Sequence, residues 1–135
     1  YKFTPKIHGQ FEWIKIPIEN KTYHKDTPWS DEQEHLINSF LEELVSDKMY
    51  AFDWQHDCFT FSPKEYIPCD YEYYDTNRKC TVYFPTYYPN GDYHLFFDSD
   101  WKYGILGNPW KKEIIVMGKN LIEKFESNKT NLNIN

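Results

Sequence analysis

The stretch SDEQEHLINSFLEELVSDKMYAFDWQHDCFTF, residues 30–61, decides the fold, because it places a strongly patterned helix directly before strand-like sequence. Ser30 and Gln33 form the pattern of a capping box, in which each side chain bonds the backbone of the other residue. Apolar residues then recur at helical spacing and predict one buried stripe, made by Leu36, Ile37, Phe40, Leu41 and Leu44. The remaining polar positions are predicted to lie largely off that stripe: Glu34, Asn38, Glu42 and Glu43. We expect the helix to end near Ser46 or Asp47.

The second half of the stretch alternates as strands do, but its phase changes once. Aromatic residues fall first on one parity, at Tyr50, Phe52 and Trp54, and then on the other, at Phe59 and Phe61. A bulge or tight turn at Gln55-His56-Asp57 accounts for that change. The polar residues of this stretch are therefore predicted to lie where the ladder is interrupted.

Further strands are predicted on both sides of this stretch. They cover Phe11–Glu19, Cys80–Phe84, Asp92–Phe97 and Lys112–Met117, with Asn90-Gly91 as a hairpin turn between the middle two. The intervening segments are predicted to lack regular structure: Ser62–Lys79 as a loop and Gly104–Pro109 as a connection. A terminal helix presents Leu121, Ile122 and Phe125 on one face.

These elements predict an α+β fold of two layers. We expect a mainly antiparallel sheet of about five strands with two helices packed on one face, since consecutive strands with short turns pair antiparallel. Residues 1–126 are predicted to form one domain, and residues 127–135 a polar, flexible tail.

The composition and net charge of the chain limit the classes of function that fit it. The chain has 135 residues, 20% of them aromatic, and a formal net charge of −6. Because phosphate contacts need clustered Lys and Arg, this charge argues against nucleic-acid binding and fits a basic partner. No apolar run is long enough to span a membrane, and no cofactor motif is present. The chain begins at Tyr1 without Met, so we expect a fragment or a processed product with an upstream element.

Two interpretations of the segment Asp53-Trp54-Gln55-His56-Asp57 stay open. Asp53, His56 and Asp57 could supply an acid–base pair, since a carboxylate beside a histidine orients many general bases. The favoured alternative is a buried polar network that fixes the strand irregularity. A metal site built from His56, His94 and Asp98 is not expected, because their spacing matches no ligand motif and the three cysteines are not paired.

A second candidate site is the acidic, tyrosine-rich segment after Pro68. Tyrosine is a favoured anchor in protein interfaces. The alternative is a solvated loop whose rings lie flat on the domain. The predicted binding residues are Asp70, Tyr71, Glu72, Tyr73, Tyr74 and Asp75.

Three short motifs resemble an uncharacterised family of small bacterial proteins, a domain of unknown function. They are Tyr50-Ala51-Phe52-Asp53-Trp54-Gln55-His56, Tyr88-Pro89-Asn90-Gly91-Asp92-Tyr93 and Gly107-Asn108-Pro109-Trp110. The resemblance spans about Phe3 to Phe125. It implies a cytoplasmic bacterial protein and lends no established activity. We expect a structural role for Asp53, Trp54, Gln55, His56, Asn90, Gly91, Asp92, Gly107, Pro109 and Trp110.

The leading hypothesis for function is a small cytoplasmic protein-binding domain, of the immunity or antitoxin-like kind, that binds a basic toxin domain. It rests on the net charge, the acidic tyrosine-rich segment and the lack of a catalytic signature. The alternative is a small-molecule-binding or hydrolytic domain that uses Asp53 and His56 in an aromatic-lined pocket.

Overall fold

The computed structural model describes residues 2–3, 18–53, 58–65, 67 and 71–135. Its strands are β1 (Lys2–Phe3), β2 (Asn20–His24), β3 (Met49–Asp53), β4 (Cys58–Phe61), β5 (Glu72–Asp75), β6 (Cys80–Tyr83), β7 (His94–Asp98), β8 (Gly104–Asn108) and β9 (Glu113–Met117). Its helices are α1 (Asp31–Leu44), α2 (Lys119–Ser127) and α3 (Lys129–Leu132). The predicted α+β class and the mainly antiparallel sheet are confirmed.

Helix α1 begins as its sequence predicts. The Ser30 hydroxyl accepts from the Gln33 backbone N–H at 3.2 Å, and the Gln33 side chain accepts from the Ser30 N–H at 2.9 Å. Both halves of the capping box are therefore formed. Ile37, Phe40 and Leu41 are buried. The helix ends at Leu44, slightly earlier than predicted.

The main sheet is wider than expected. Seven strands lie in the order β1-β4-β3-β7-β8-β9-β2, and each described pairing is antiparallel. Strands β3 and β4 pair with each other and lie on either side of the segment 54–57 in the sequence. That segment, where the aromatic alternation was predicted to change phase, lies outside the described residues. Strand β2 lies at the edge opposite β1. Most of the predicted strand at Phe11–Glu19 also lies outside the described residues.

The prediction of a connection at Gly104–Pro109 is wrong, because Gly104–Asn108 is a central strand. Its glycines suit close packing more than turning. A Cβ on Gly104 would lie 2.8 Å from the Phe97 ring, and one on Gly107 would lie 2.6 Å from Pro89. Neighbouring side chains occupy that space instead.

One face of the sheet is buried under the helices. Paired residues Ala51, Phe96, Ile105 and Val116 form a fully buried row across four strands. The helices join that core through Phe125 of α2, whose ring lies 5.7 Å from Phe40 and 6.0 Å from Tyr23.

The expected flexible tail at 127–135 is wrong, because this segment is packed into the domain. Leu132 is fully buried and Ile134 is 4% exposed. The Leu132 carbonyl accepts from the Trp29 indole at 2.8 Å, and Asn135 exchanges two backbone hydrogen bonds with His24 of β2. The domain therefore extends to the last residue.

Strand β6 lies where a strand was predicted, at Cys80–Phe84, whereas β5 lies within the predicted loop Ser62–Lys79; the two form a separate two-stranded sheet. The predicted hairpin at Asn90-Gly91 is also wrong, because β6 pairs with β5 whereas β7 pairs with β3 and β8. Gly91 does adopt a positive φ of 79°, which glycine takes without strain. The turn therefore belongs to a connection between the two sheets.

Candidate functional site

The fold brings the described parts of the three sequence motifs to one end of the main sheet. Asp53, the last residue of β3, pairs with His94, the first residue of β7, and His94 pairs with Gly107 of β8. We call this the motif end; it comprises these three residues and the loops 25–30, 84–93 and 109–112. Adjacent strands thus bring together segments that lie far apart in the sequence. Trp54, Gln55, His56 and Asp57 lie outside the described residues.

Buried polar side chains gather at the motif end. Lys25, Glu34, Asp92 and His94 are all buried, and each belongs to a motif-end segment or bonds to one. Asp98 is also buried but lies at the far end of β7, where it accepts the N–H groups of Lys102 and Tyr103. Burial of several polar groups requires that they bond one another or the backbone.

Glu34 holds the loop between β6 and β7 against helix α1. It is 3% exposed, and its two carboxylate oxygens accept from the backbone N–H groups of Tyr87 at 2.7 Å and Tyr88 at 3.2 Å. Burial raises the pKa of Glu34 to about 7, aided by Asp31 and opposed by those two hydrogen bonds. The prediction that Glu34 lies off the buried side of the helix is wrong.

Asn38, one turn further along α1, is also buried rather than off the stripe. Its amide nitrogen donates to the Pro63 carbonyl at 2.8 Å, and its oxygen accepts from the Tyr87 hydroxyl at 2.7 Å. The helix therefore presents two polar residues to loops that carry unpaired backbone groups. Those groups need acceptors and donors once water is excluded.

His94 continues this network to Asp53. Its Nδ1 lies 2.8 Å from the Thr86 carbonyl, which only accepts, so Nδ1 carries a hydrogen. Its Nε2 lies 3.6 Å from Asp53 Oδ2. The peptide unit whose carbonyl binds His94 also supplies the Tyr87 N–H that binds Glu34. A chain of polar contacts thus runs from Asp53 to Glu34.

The network holds the loop 84–93 against helix α1, because the Tyr87 and Tyr88 N–H groups donate to the buried Glu34 carboxylate. Asp53 contacts His94, and His56 lies outside the described residues, so the predicted pairing of Asp53 with His56 stays a prediction. Alternation could have indicated His94, since Asp92, His94, Phe96 and Asp98 share one parity and all are buried.

No group of three His, Cys, Asp or Glu residues within the described ranges could hold a metal ion. His94 and Asp98 stand at opposite ends of β7, since one pairs with Asp53 and the other with Met49. His94 and Asp98 therefore cannot bind the same metal ion, as a site built from His56, His94 and Asp98 would require.

The acidic, tyrosine-rich segment lies in the second sheet. We call residues 71–84 the tyrosine hairpin and define its outer face as Glu72, Tyr74, Thr81 and Tyr83. Tyr74 is 59% exposed and Tyr83 is 62% exposed. Tyr71 is also exposed, whereas Tyr73 is half-buried opposite the buried Val82. Asp70 lies outside the described residues.

Asp75 has a local role in the turn of the tyrosine hairpin. Its carboxylate accepts from the N–H groups of Asn77 and Arg78 and pairs with the Arg78 guanidinium at 2.9 Å. Counting Arg78 and Lys79 against Glu72 and Asp75, the described hairpin has no net formal charge.

Trp110 of the third motif is 79% exposed, the most exposed large apolar side chain in the described part of the chain. Its backbone N–H donates to Asn108 Oδ1 at 3.0 Å. Gly107 and Pro89, by contrast, pack against each other. The motif residues therefore differ in their surroundings.

Comparisons with known proteins agree with the resemblance in the sequence. The model of the family described as "Protein of unknown function (DUF2716)" matches residues 1–122. The chain is 37% identical over 117 residues to "Uncharacterized protein YxiI" of Bacillus subtilis (strain 168), covering 84% of this chain and 67% of that protein. No solved structure matches the chain. Among the described helices, none is long and apolar enough to cross a membrane.

Proposed function

The chain belongs to the DUF2716 family, and from its structure we propose that it is a protein-binding domain of the immunity or antitoxin-like kind. Its partner is a basic protein, and binding takes place in the cytoplasm. The outer face of the tyrosine hairpin supplies the contact.

The observation that carries this proposal is the exposure of Tyr74 and Tyr83 on one face of the hairpin. Glu72 pairs with Tyr83 and Thr81 pairs with Tyr74, so the two rings are diagonal neighbours. More than half of each side chain contacts solvent. Tyrosine supplies a large, rigid contact area with a polar tip, which suits the centre of an interface.

The basic character of the partner follows from charge outside the hairpin. The chain carries −6 overall, whereas the hairpin is neutral. Exposed carboxylates lie along α1 at Asp31, Glu32 and Glu42, while Glu43 pairs with Lys124 at 2.6 Å. Such charges steer a cationic partner toward the domain, and the tyrosines then hold it.

The test uses the product of the neighbouring reading frame as partner. Tyr74→Ala and Tyr83→Ala should each weaken binding by about 2 kcal/mol, roughly 30-fold in Kd, as for interface anchors. Trp110→Ala is the matched control, because Trp110 is at least as exposed but lies outside the hairpin, in the turn between β8 and β9 of the main sheet. Absence of binding, or equal loss in all three variants, contradicts the proposal.

A second candidate function is supported by the contact between Asp53 and His94. A carboxylate facing an imidazole that is fixed by a backbone carbonyl can orient a base or bind a polar small molecule. A thermal-shift screen of small polar metabolites tests it. A ligand that raises the Tm of the wild type but not of His94→Asn supports this function; equal shifts in both count against it.

A further inference from the structure

The outer edge of β6 carries backbone groups that point away from β5. The Phe84 N–H donates to the Tyr71 carbonyl at 3.3 Å, which makes these two residues a hydrogen-bonded pair. Such pairs alternate with non-hydrogen-bonded pairs along an antiparallel ladder. By this alternation, Tyr83 with Glu72 and Thr81 with Tyr74 are non-hydrogen-bonded pairs. The backbone N–H and C=O groups of Tyr83 and Thr81 therefore point away from β5.

These outward groups are unpaired within the described residues. Among the residues that the structure describes, none outside the hairpin makes a hydrogen bond to the backbone of Thr81 or Tyr83, and both residues are exposed. The edge of β2 differs, because Asn135 covers it through two backbone hydrogen bonds to His24. Within the described part of the chain, the β6 edge therefore has no strand beside it.

The residues of β6 also lack the features that usually block an exposed edge. Natural edge strands carry charges or prolines that discourage pairing. Strand β6 reads Cys80-Thr81-Val82-Tyr83, with neither, whereas β5 carries Glu72 and Asp75. A third strand would pair the outward N–H and C=O groups of Thr81 and Tyr83.

We propose that an extended segment of the protein partner pairs with the β6 edge and adds a third strand to the tyrosine hairpin. This inference rests on the proposed function and specifies how the partner binds. The segment alternates Lys or Arg with uncharged β-branched residues. Its cationic side chains lie on the outer face, beside the Tyr83 ring and within reach of Glu72, where cation–π and charge attraction act together. The net charge of −6 favours such a segment over an acidic one.

The experiment selects binders from a displayed library of random 12-residue peptides, using the full chain as bait. The enriched peptides should alternate basic and β-branched residues. Thr81→Pro removes the outward N–H without removing a bond of the hairpin, and should weaken these peptides at least tenfold. Thr81→Ala keeps the N–H and should stay within twofold of the wild type.

A measurement on the unaltered protein covers the case in which Thr81→Pro does not fold. Saturating peptide should slow hydrogen exchange of the Thr81 and Tyr83 amides at least tenfold. The inference is overturned if no peptides are enriched, if these amides are not protected, or if a folded Thr81→Pro variant binds as the wild type does. It is also overturned if the free protein is a dimer that Thr81→Pro converts to a monomer, because a second copy would then occupy the edge.

Failure of this inference can be told apart from failure of the proposed function. If Tyr74→Ala weakens binding of the neighbouring gene's product but Thr81→Pro does not, the proposed protein binding is supported and strand addition is contradicted. If Tyr74→Ala and Tyr83→Ala leave that product bound as before, the proposed function itself falls.

Discussion

Replacing Glu34 by Gln should remove a pH dependence from the stability of the protein. Glu34 is buried, and its pKa rises from 4.5 in the unfolded chain to about 7 in the fold. A raised pKa means that folding favours the protonated acid, so this contribution is fully present below pH 4.5 and is lost as pH rises through 7. Between pH 5 and pH 8, the wild type should lose roughly 2–3 kcal/mol relative to Glu34→Gln.

Urea denaturation of both proteins at pH 5, 6, 7 and 8 measures this difference. Gln has one acceptor oxygen where Glu34 uses two, one for the Tyr87 N–H and one for the Tyr88 N–H, so the variant carries its own cost, but that cost does not titrate over this range. The pH dependence of the difference in free energy of unfolding therefore isolates Glu34. Parallel curves for the two proteins would refute the reasoning, since Glu34 would then titrate alike in both states.

Three further changes test the packing. Ser30→Ala should lower the free energy of unfolding by about 1 kcal/mol through loss of the N-cap bond, and an unchanged denaturant midpoint would place the helix start elsewhere. Leu132→Ala should cost about 2–5 kcal/mol in the same assay, because a fully buried side chain is removed, whereas a mobile tail would tolerate it. His94→Ala should cost about 1–3 kcal/mol because it leaves the Thr86 carbonyl unpaired; full stability would show that the motif-end network is not structural.

Local signals predicted the elements that depend on neighbouring residues. The capping box and apolar stripe of α1 need only residues 30–44; the structure forms the capping box and buries Ile37, Phe40 and Leu41 of the stripe, with Leu36 and Leu44 partly buried. Strand β8 was missed because Gly104 and Gly107 read as turn residues. Glycine fits at these positions because the Phe97 ring and Pro89 occupy the space that a Cβ would need. Both residues belong to other elements of the fold. No window of the sequence contains that information.

The last nine residues are mostly polar, so their composition gave no indication that they pack into the domain. Leu132 and Ile134 are the only aliphatic residues among them, and only the fold shows that both reach the core. The burial of Glu34 is likewise not predictable from its helix alone, since it depends on the loop amides of Tyr87 and Tyr88. The motifs were recognised singly, but their meeting at one end of the sheet required the strand order.

Hydrogen exchange of the protein alone and in complex with the neighbouring gene's product tests the central claim most directly. The account predicts slowed exchange in the tyrosine hairpin, residues 71–84, with loops 25–30 and 109–112 of the motif end unchanged. Protection confined to the motif end, with the hairpin exchanging as in the free protein, would contradict it.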